Sequence, residues 1–297
     1  MRRRRRGAVG LLVVLAAIAV VALVLSTGSG GTPRQSVTSA SSSPVTKGTG
    51  GERRHGNAHG QAAVAAQMAA VRRLATRGLP LYCGGTSKRM VALTFDDGPG
   101  PYTTLAIKKL RQQHLKATFF LVGKSIRAYP SLARLEKAVA AVGDHTMTHP
   151  FLPGLSQSAM AAEIGDAKTL IEQSAQQPVG LFRPPYGSRT PAIDAEARSL
   201  GLLEVLWTVD SRDSLGANYA GIERNVIAGL HPGSIILMHE NRGQTIRALP
   251  VIFAALARDH LRAVTLPALV ADDPPSLAQL RAGGSGCGKS FNGGRGD

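Results

Sequence analysis

A chain of 297 residues, 43% of them hydrophobic, has the apolar content for a packed core and the length for one or two domains. Its formal net charge is +16, but residues 1–83 hold +11 of it, with Glu52 as their one acid. A nucleic-acid binder would carry its basic face on the folded part, so this distribution argues against that class, while a mildly cationic domain still suits anionic cell-wall polymers.

The first element is apolar. Arg2 to Arg6 precede residues 8–25, a run with no charged or polar side chain. As a helix it is about 27 Å long, close to the ~30 Å hydrocarbon core of a bilayer. Five arginines ahead of it favour a cytoplasmic N-terminus. Residues 1–7 then form a basic stub, 8–25 a single-pass signal-anchor in the cell membrane, and the remainder lies outside. The alternative is a secreted chain with a cleaved signal peptide, whose apolar region would be shorter, about 7–15 residues, and followed by an A-x-A site that is missing here. Residues 26–60 are rich in Ser, Gly, Thr and Pro and read as a flexible tether. His55 and His59 fall within it, without an acidic pair or a strand beside them, and read as solvated. Residues 61–77 are Ala-rich with an apolar stripe, which makes 61–82 a helix or stalk.

From residue 90 the pattern alternates. Strands are predicted at 90–95, 117–122, 179–182, 203–209, 234–238 and 262–266. Helices are predicted at 105–113, 130–142, 158–174, 191–200 and 244–258. Such alternation implies an α/β fold of parallel strands joined by helical crossovers. Residues 83–272 form this domain, and 273–297, rich in Pro and Gly, read as a loose tail. Cys83 and Cys287 bracket the domain. In an exported chain two cysteines can pair, and sequence alone leaves that open.

Several strand ends carry chemistry. Thr94-Phe95-Asp96-Asp97-Gly98-Pro99 closes the first. Adjacent side chains on a strand point opposite ways, but the Gly98-Pro99 turn lets both carboxylates reach one pocket. Two close carboxylates repel, so one on a cation and one as a base is a stable division of labour. Asp144-His145-Thr146-Met147-Thr148-His149-Pro150 follows 48 residues later. Its His-x3-His spacing sets two imidazoles on one side of a helical turn. One Asp and two His can hold a divalent ion and leave positions open for water and substrate. Arg183-Pro184-Pro185-Tyr186-Gly187 follows the 179–182 strand, stiffened by its prolines. Trp207-Thr208-Val209-Asp210-Ser211-Arg212-Asp213-Ser214 and Leu237-Met238-His239 complete the set. Each segment alone has an ordinary reading as a surface turn, a core Trp or a structural His. His114, His231 and His260 keep that reading.

Together these segments resemble the polysaccharide deacetylase family, also called the NodB-homology or carbohydrate esterase 4 family, over roughly residues 90–266, about 60% of the chain. The resemblance implies a distorted (β/α) barrel with fewer strands than the regular eightfold one and functional residues after the strand ends. It implies Asp96 as general base, and Asp97, His145 and His149 as ligands of a divalent metal, Zn2+ first and Co2+ or another divalent ion next. Arg183 would pair with Asp96, the Tyr186 N–H would help hold an oxyanion, and His239 would protonate the leaving amine. Asp213, with Asp210 as the alternative, would support Arg183 and His239. Two departures stand out. Val139-Ala140 replaces a common Gly-His pair, and Ser214 replaces a Trp that lines the groove in many members. Trp207 reads as core.

The implied activity is hydrolysis of N-acetyl groups from an amino-sugar polymer by a monomeric enzyme outside the membrane. Peptidoglycan N-acetylglucosamine is the first substrate, because a tether would hold the domain beside the wall, and chitin oligomers come second. The rivals are an O-acetyl esterase acting on a polysaccharide such as xylan, a wall-glycan-binding module without turnover, and a nucleic-acid binder.

Overall fold

A computed structural model of the chain describes residues 50–137 and 139–288. Strand β1 (Met90–Gly98) is central, and its alternation sets the architecture. Val91, Leu93 and Phe95 pack into the layer shared with the outer helices, whereas Met90 and Ala92 belong to a second cluster inside the curved sheet. Thr94 and Asp96 share that inner parity, so the strand delivers a carboxylate into the interior without a change of register.

On one side of β1 lie β2 (Ala117–Leu121), β3 (Ala140–Asp144), β4 (Leu181–Phe182) and β5 (Leu203–Glu204). On the other lie β6 (Val209–Asp210) and β7 (Ile235–His239). The order is β5-β4-β3-β2-β1-β7-β6, and β8 (Arg262–Val264) pairs with the first residues of β1. All named pairings are parallel, giving a half-barrel. In the β1–β7 register Asp96 lies opposite His239, so both face inward at the same level. The segment around Leu81 and Cys83 bridges to Val205 beyond β5 and to Ser234 before β7, linking the two arms of the sheet.

Helices α1 (Gly50–Ala75), α2 (Thr103–Gln112), α3 (Gly123–Ala128), α4 (Leu132–Lys137), α5 (Gln157–Ala175), α6 (Pro191–Ser199), α7 (Tyr219–Gly229), α8 (Gly243–Arg258), α9 (Leu266–Asp272) and α10 (Leu277–Ala282) complete the described fold. Helix α1 is packed on the domain. Ala70, Val71, Leu74 and Ala75 are buried with Leu266 and Leu269 of α9 in the inner cluster, at the end of the half-barrel where β1 begins.

Several expectations are corrected. Helix α1 begins at Gly50, inside the stretch expected to be a tether. The helix expected over 130–142 stops at Lys137, and the chain enters β3 at Ala140. Ala140-Ala141 favour helix locally, but pairing with Thr118 and its neighbours on β2 overrides that preference. The strand expected over 203–209 is two short strands with an irregular turn between them, where the Val205 and Leu206 carbonyls point at Arg183. Part of the expected loose tail is ordered. Ser276 and Gln279 form a capping box on α10, and Cys83 is bonded to Cys287 with a Cα separation of 5.8 Å. The expected signal-anchor, residues 8–25, lies outside the described residues. Among the described residues no helix is long and apolar enough to cross a membrane.

Candidate active site and metal centre

The fold brings the motif residues to one end of the half-barrel. Asp97 is the residue after Asp96 and by strand parity would point outward. Its φ of 71° turns it back toward the interior. Positive φ recurs at Thr146, His149, Tyr186 and Arg212, all in the loops that follow strand ends. For a β-branched residue such as Thr146 this conformation is strained, and the surroundings must hold it. Asp144 does so by accepting the Thr146 N–H at 2.7 Å, and Thr146 Oγ1 in turn accepts the His149 N–H at 3.0 Å. Glu163 of α5 grips the same loop, accepting the Thr148 N–H and hydroxyl, both at 2.8 Å.

One oxygen of Asp97 lies 3.8 Å from His145 Nε2 and 3.5 Å from His149 Nε2. All three donor atoms fall within 4.8 Å of one another. Ligands bonded at about 2.0–2.2 Å to a tetrahedral ion stand about 3.3–3.6 Å apart, so the two Asp97–histidine separations already suit a zinc-sized cation, and the widest pair closes on it by an approach of about 1 Å. The tautomers agree. His145 Nδ1 lies 2.6 Å from the Arg183 carbonyl, which can only accept, so Nδ1 carries the hydrogen and Nε2 is free to ligate. Burial and then the neighbouring His145 lower the pKa of His149, which favours the neutral, ligating form. Burial alone would raise Asp97, but the fields of His145, His239 and His149 and the Asn241 amide hold its carboxyl below the ordinary value.

Asp96 is buried beside this trio, its Oδ2 3.7 Å from His145 Nε2. Its other oxygen accepts from Arg183 Nη1 at 2.7 Å. Arg183 is fully buried and donates also to Thr94 Oγ1 and to the Val205 and Leu206 carbonyls, with its guanidinium 4.2 Å from the centre of the Phe120 ring. A charged group so placed has a single orientation available to it. Asp213 was expected near both Arg183 and His239, and its hydrogen bonds serve only the second. Asp213 Oδ1 is 2.7 Å from His239 Nδ1, while Oδ2 accepts the His239 N–H at 2.7 Å and the Thr245 hydroxyl at 2.5 Å. Burial disfavours charge on His239, but the Asp213 hydrogen bond and charge prevail and carry it up to about 9. Asp210, the alternative, accepts the Arg212 N–H at 2.7 Å. Trp207 packs against the inner cluster, as expected of a core residue. Its ring leaves no room at Gly187, where a Cβ would lie 2.8 Å from it.

Sequence reading missed a second carboxyl pair behind the site. Glu136 of α4 and Glu240, the residue after His239, face each other fully buried. The Thr103 hydroxyl donates to Glu240 and accepts the Gly100 N–H at 2.8 Å, and Glu240 N–H reaches the Asp96 carbonyl. A side chain at Gly98 would collide with Glu240, so only glycine fits there. Burial and the charge of Glu240 raise Glu136 well above the ordinary range, while burial and the charges of Asp97 and Asp96, opposed by hydrogen bonds with Thr103 and Glu136, bring Glu240 to about 7, so the pair retains a proton near neutrality. A glutamate at a position of α4 that packs inward was the available signal.

The pair sets a pH dependence. Carboxyls with raised folded pKa values bind protons that the unfolded chain has already lost, so their stabilisation is intact below about pH 4.5 and disappears as pH rises through about 7. Melting of the metal-free protein is expected to drop in temperature between pH 5 and 8. Glu136→Gln, which supplies an amide donor to Glu240, should flatten that drop, as thermal scans of both proteins across this range can measure. Equal slopes would show that the pair does not share the proton.

The family model described as polysaccharide deacetylase matches residues 84–205. The chain is 34% identical to a peptidoglycan-N-acetylglucosamine deacetylase of Bacillus cereus over 191 residues, covering 62% of this chain and 89% of that protein. It is 34% identical to a chitooligosaccharide deacetylase of a Bradyrhizobium strain, covering 61% and 90%. Among solved structures, a family 4 carbohydrate esterase from Streptomyces lividans in complex with acetate superposes with a TM-score of 0.57 at 36% identity, covering 61% and 92%. A carbohydrate esterase 4 pseudoenzyme from Bacillus anthracis gives a TM-score of 0.61 at 29% identity, covering 64% and 68%.

Proposed function

This chain belongs to the polysaccharide deacetylase family, and from that membership we propose that it removes N-acetyl groups from the N-acetylglucosamine of peptidoglycan, with chitin oligomers as the second substrate. The observation that carries the reading is the convergence of Asp97, His145 and His149 within ligand reach of one another, with Asp96 on one side and His239 on the other. One similar structure is a pseudoenzyme, so family alone does not imply turnover. The retained base, proton donor and ligand set favour an enzyme over a binding module.

Asp97, His145 and His149 would hold a divalent cation, Zn2+ first by its preference for imidazole and carboxylate in a compact set. When bound, such an ion supplies Lewis acidity, lowering the pKa of a water toward about 7 and polarising an acyl carbonyl. Asp96 receives the proton of the attacking water, oriented for it by Arg183. The Tyr186 N–H donates to the oxygen on which charge develops, in a backbone held at φ 61°. His239, kept charged by Asp213, gives its proton to the departing amine, which would otherwise leave as a poor anion. Acetate and a glucosamine unit result.

The location is proposed with the activity. The Cys83–Cys287 bond suits an oxidising compartment, and residues 8–25 suit a signal-anchor, which together favour a domain outside the membrane beside the wall, residues 83–272 being its catalytic unit.

The test is acetate release from peptidoglycan, an N-acetylglucosamine oligomer and acetylated xylan, with zinc supplied and then chelated. Release from the first two, lost on chelation and restored by zinc or cobalt, is the expected result. Release from xylan alone would favour the O-acetyl esterase, and glycan binding without any release would favour the binding module.

A further inference from the structure

The aromatic side chains of this molecule are few, and its described phenylalanines are mostly hidden. Five of the six described phenylalanines are buried, and Phe151 is the exception at 57% exposure. It stands two residues after the ligand candidate His149. The chain beneath it is anchored, since Leu152 is buried and the Gly154 N–H donates to the Phe151 carbonyl at 3.1 Å. Gly154 backs the ring closely enough that a Cβ there would lie 3.7 Å from it. The ring is therefore presented to solvent from a held backbone.

Tyr186 continues this surface. It is 54% exposed, its ring packs edge-to-face with that of His149 with centroids 4.8 Å apart, and the Phe151 ring lies 6.4 Å from it. The three rings are therefore neighbours, with Phe151 no farther than about 11 Å from His149, a bound set by the two steps together. An apolar surface exposed at the mouth of a polar site marks a ligand groove more often than an accident of packing.

We propose that Phe151, with Tyr186 beside it, is a stacking platform for the pyranose ring next to the sugar whose acetyl group is removed. A pyranose with equatorial substituents presents a face of C–H bonds, which packs on an aromatic ring while its hydroxyls stay in water. Phe151 has no polar atom and would read that face alone, whereas Tyr186 adds a hydroxyl at the inner end. The site thus selects a polymer over a single sugar. This inference rests on the deacetylase reading above.

The experiment compares wild type, Phe151→Ala and Phe151→Trp with an N-acetylglucosamine pentasaccharide. Phe151→Ala is expected to raise KM about tenfold with kcat within about twofold and zinc content unchanged, the loss that removal of one aromatic contact brings. Phe151→Trp should retain the wild-type KM. An unchanged KM in the alanine variant, or a tryptophan variant as weak as the alanine one, would overturn the platform. So would a fall in kcat accompanied by loss of zinc, because the ring would then be a support for His149. Titration of the same pentasaccharide into zinc-free protein reads the platform without turnover: a Kd about tenfold weaker in Phe151→Ala supports it and equal values refute it. Wild type that released no acetate would count against the deacetylase reading alone.

Discussion

Asp96→Asn is expected to lower kcat/KM for acetate release by about 10²–10⁴, the range for removing a positioned general base, while bound zinc stays at the wild-type level. The substitution changes almost no volume and leaves the carbonyl oxygen able to accept from Arg183 at the position where Oδ1 now sits 2.7 Å from Nη1. What it removes is the atom that can take a proton. Asp96 faces the ligand trio through its second oxygen, 3.7 Å from His145 Nε2, and is not itself in the set whose donor atoms cluster. Elemental analysis therefore separates the two neighbouring carboxylates, because loss of Asp97 should cost metal and loss of Asp96 should not. Activity that survives Asp96→Asn would move the base elsewhere. Zinc lost together with activity would make Asp96 a ligand.

Spacing alone shows these two carboxylates only as a pair, and it is the family resemblance that separates Asp96 as base from Asp97 as ligand. Asp96-Asp97 at the end of an apolar strand, and two histidines at a local spacing, are short-range patterns, and each fell where a strand ends. Which carboxylate faces which partner depends on the φ of 71° at Asp97, which no spacing rule gives. Strand β3 was hidden for a different reason. Val139 to Val142 read as the end of a helix until β2 and β4 are on either side of them, and those partners come from distant parts of the chain. The Glu136–Glu240 pair and the Arg183 cage are of the same kind. Arg183 takes its four acceptor contacts from residues 22 to 89 positions away, so a motif can name the arginine without saying what cages it. Phe151 was passed over because an aromatic residue after a His-Pro looks like core until its exposure is known.

Asp213→Asn should act on the other half of the reaction, through His239. The carboxylate meets His239 twice, at Nδ1 and at the backbone N–H, and takes the Thr245 hydroxyl as well. An asparagine keeps the shape but not the charge, and its amide must turn its oxygen to one side and its NH2 to the other, so at least one of these donors loses its acceptor. Without the carboxylate, burial of His239 is opposed only by the charges of Asp96 and Asp97, and its pKa falls from about 9 toward the ordinary imidazole value. At pH 8 the imidazole is then mostly neutral and has no proton to give. Acetate release at that pH is expected to fall by about 10²–10⁴, with zinc content unchanged and part of the activity returning as the pH is lowered. The alkaline limb of kcat/KM should shift to lower pH by at least about one unit. A cation at Asp97 repels the charged imidazole and lowers both limbs, but it is common to the two proteins, so the displacement between them remains. Stability carries the same sign. A histidine whose folded pKa is raised contributes stabilisation that is complete below about pH 6.5 and is lost as pH climbs through about 9. The melting temperatures of wild type and Asp213→Asn should accordingly be farthest apart at pH 6 and draw closer above pH 9, the remaining gap being the cost of the orphaned donor. Coincident pH–rate profiles for the two proteins would show that His239 does not owe its proton to Asp213, and the leaving amine would need another donor.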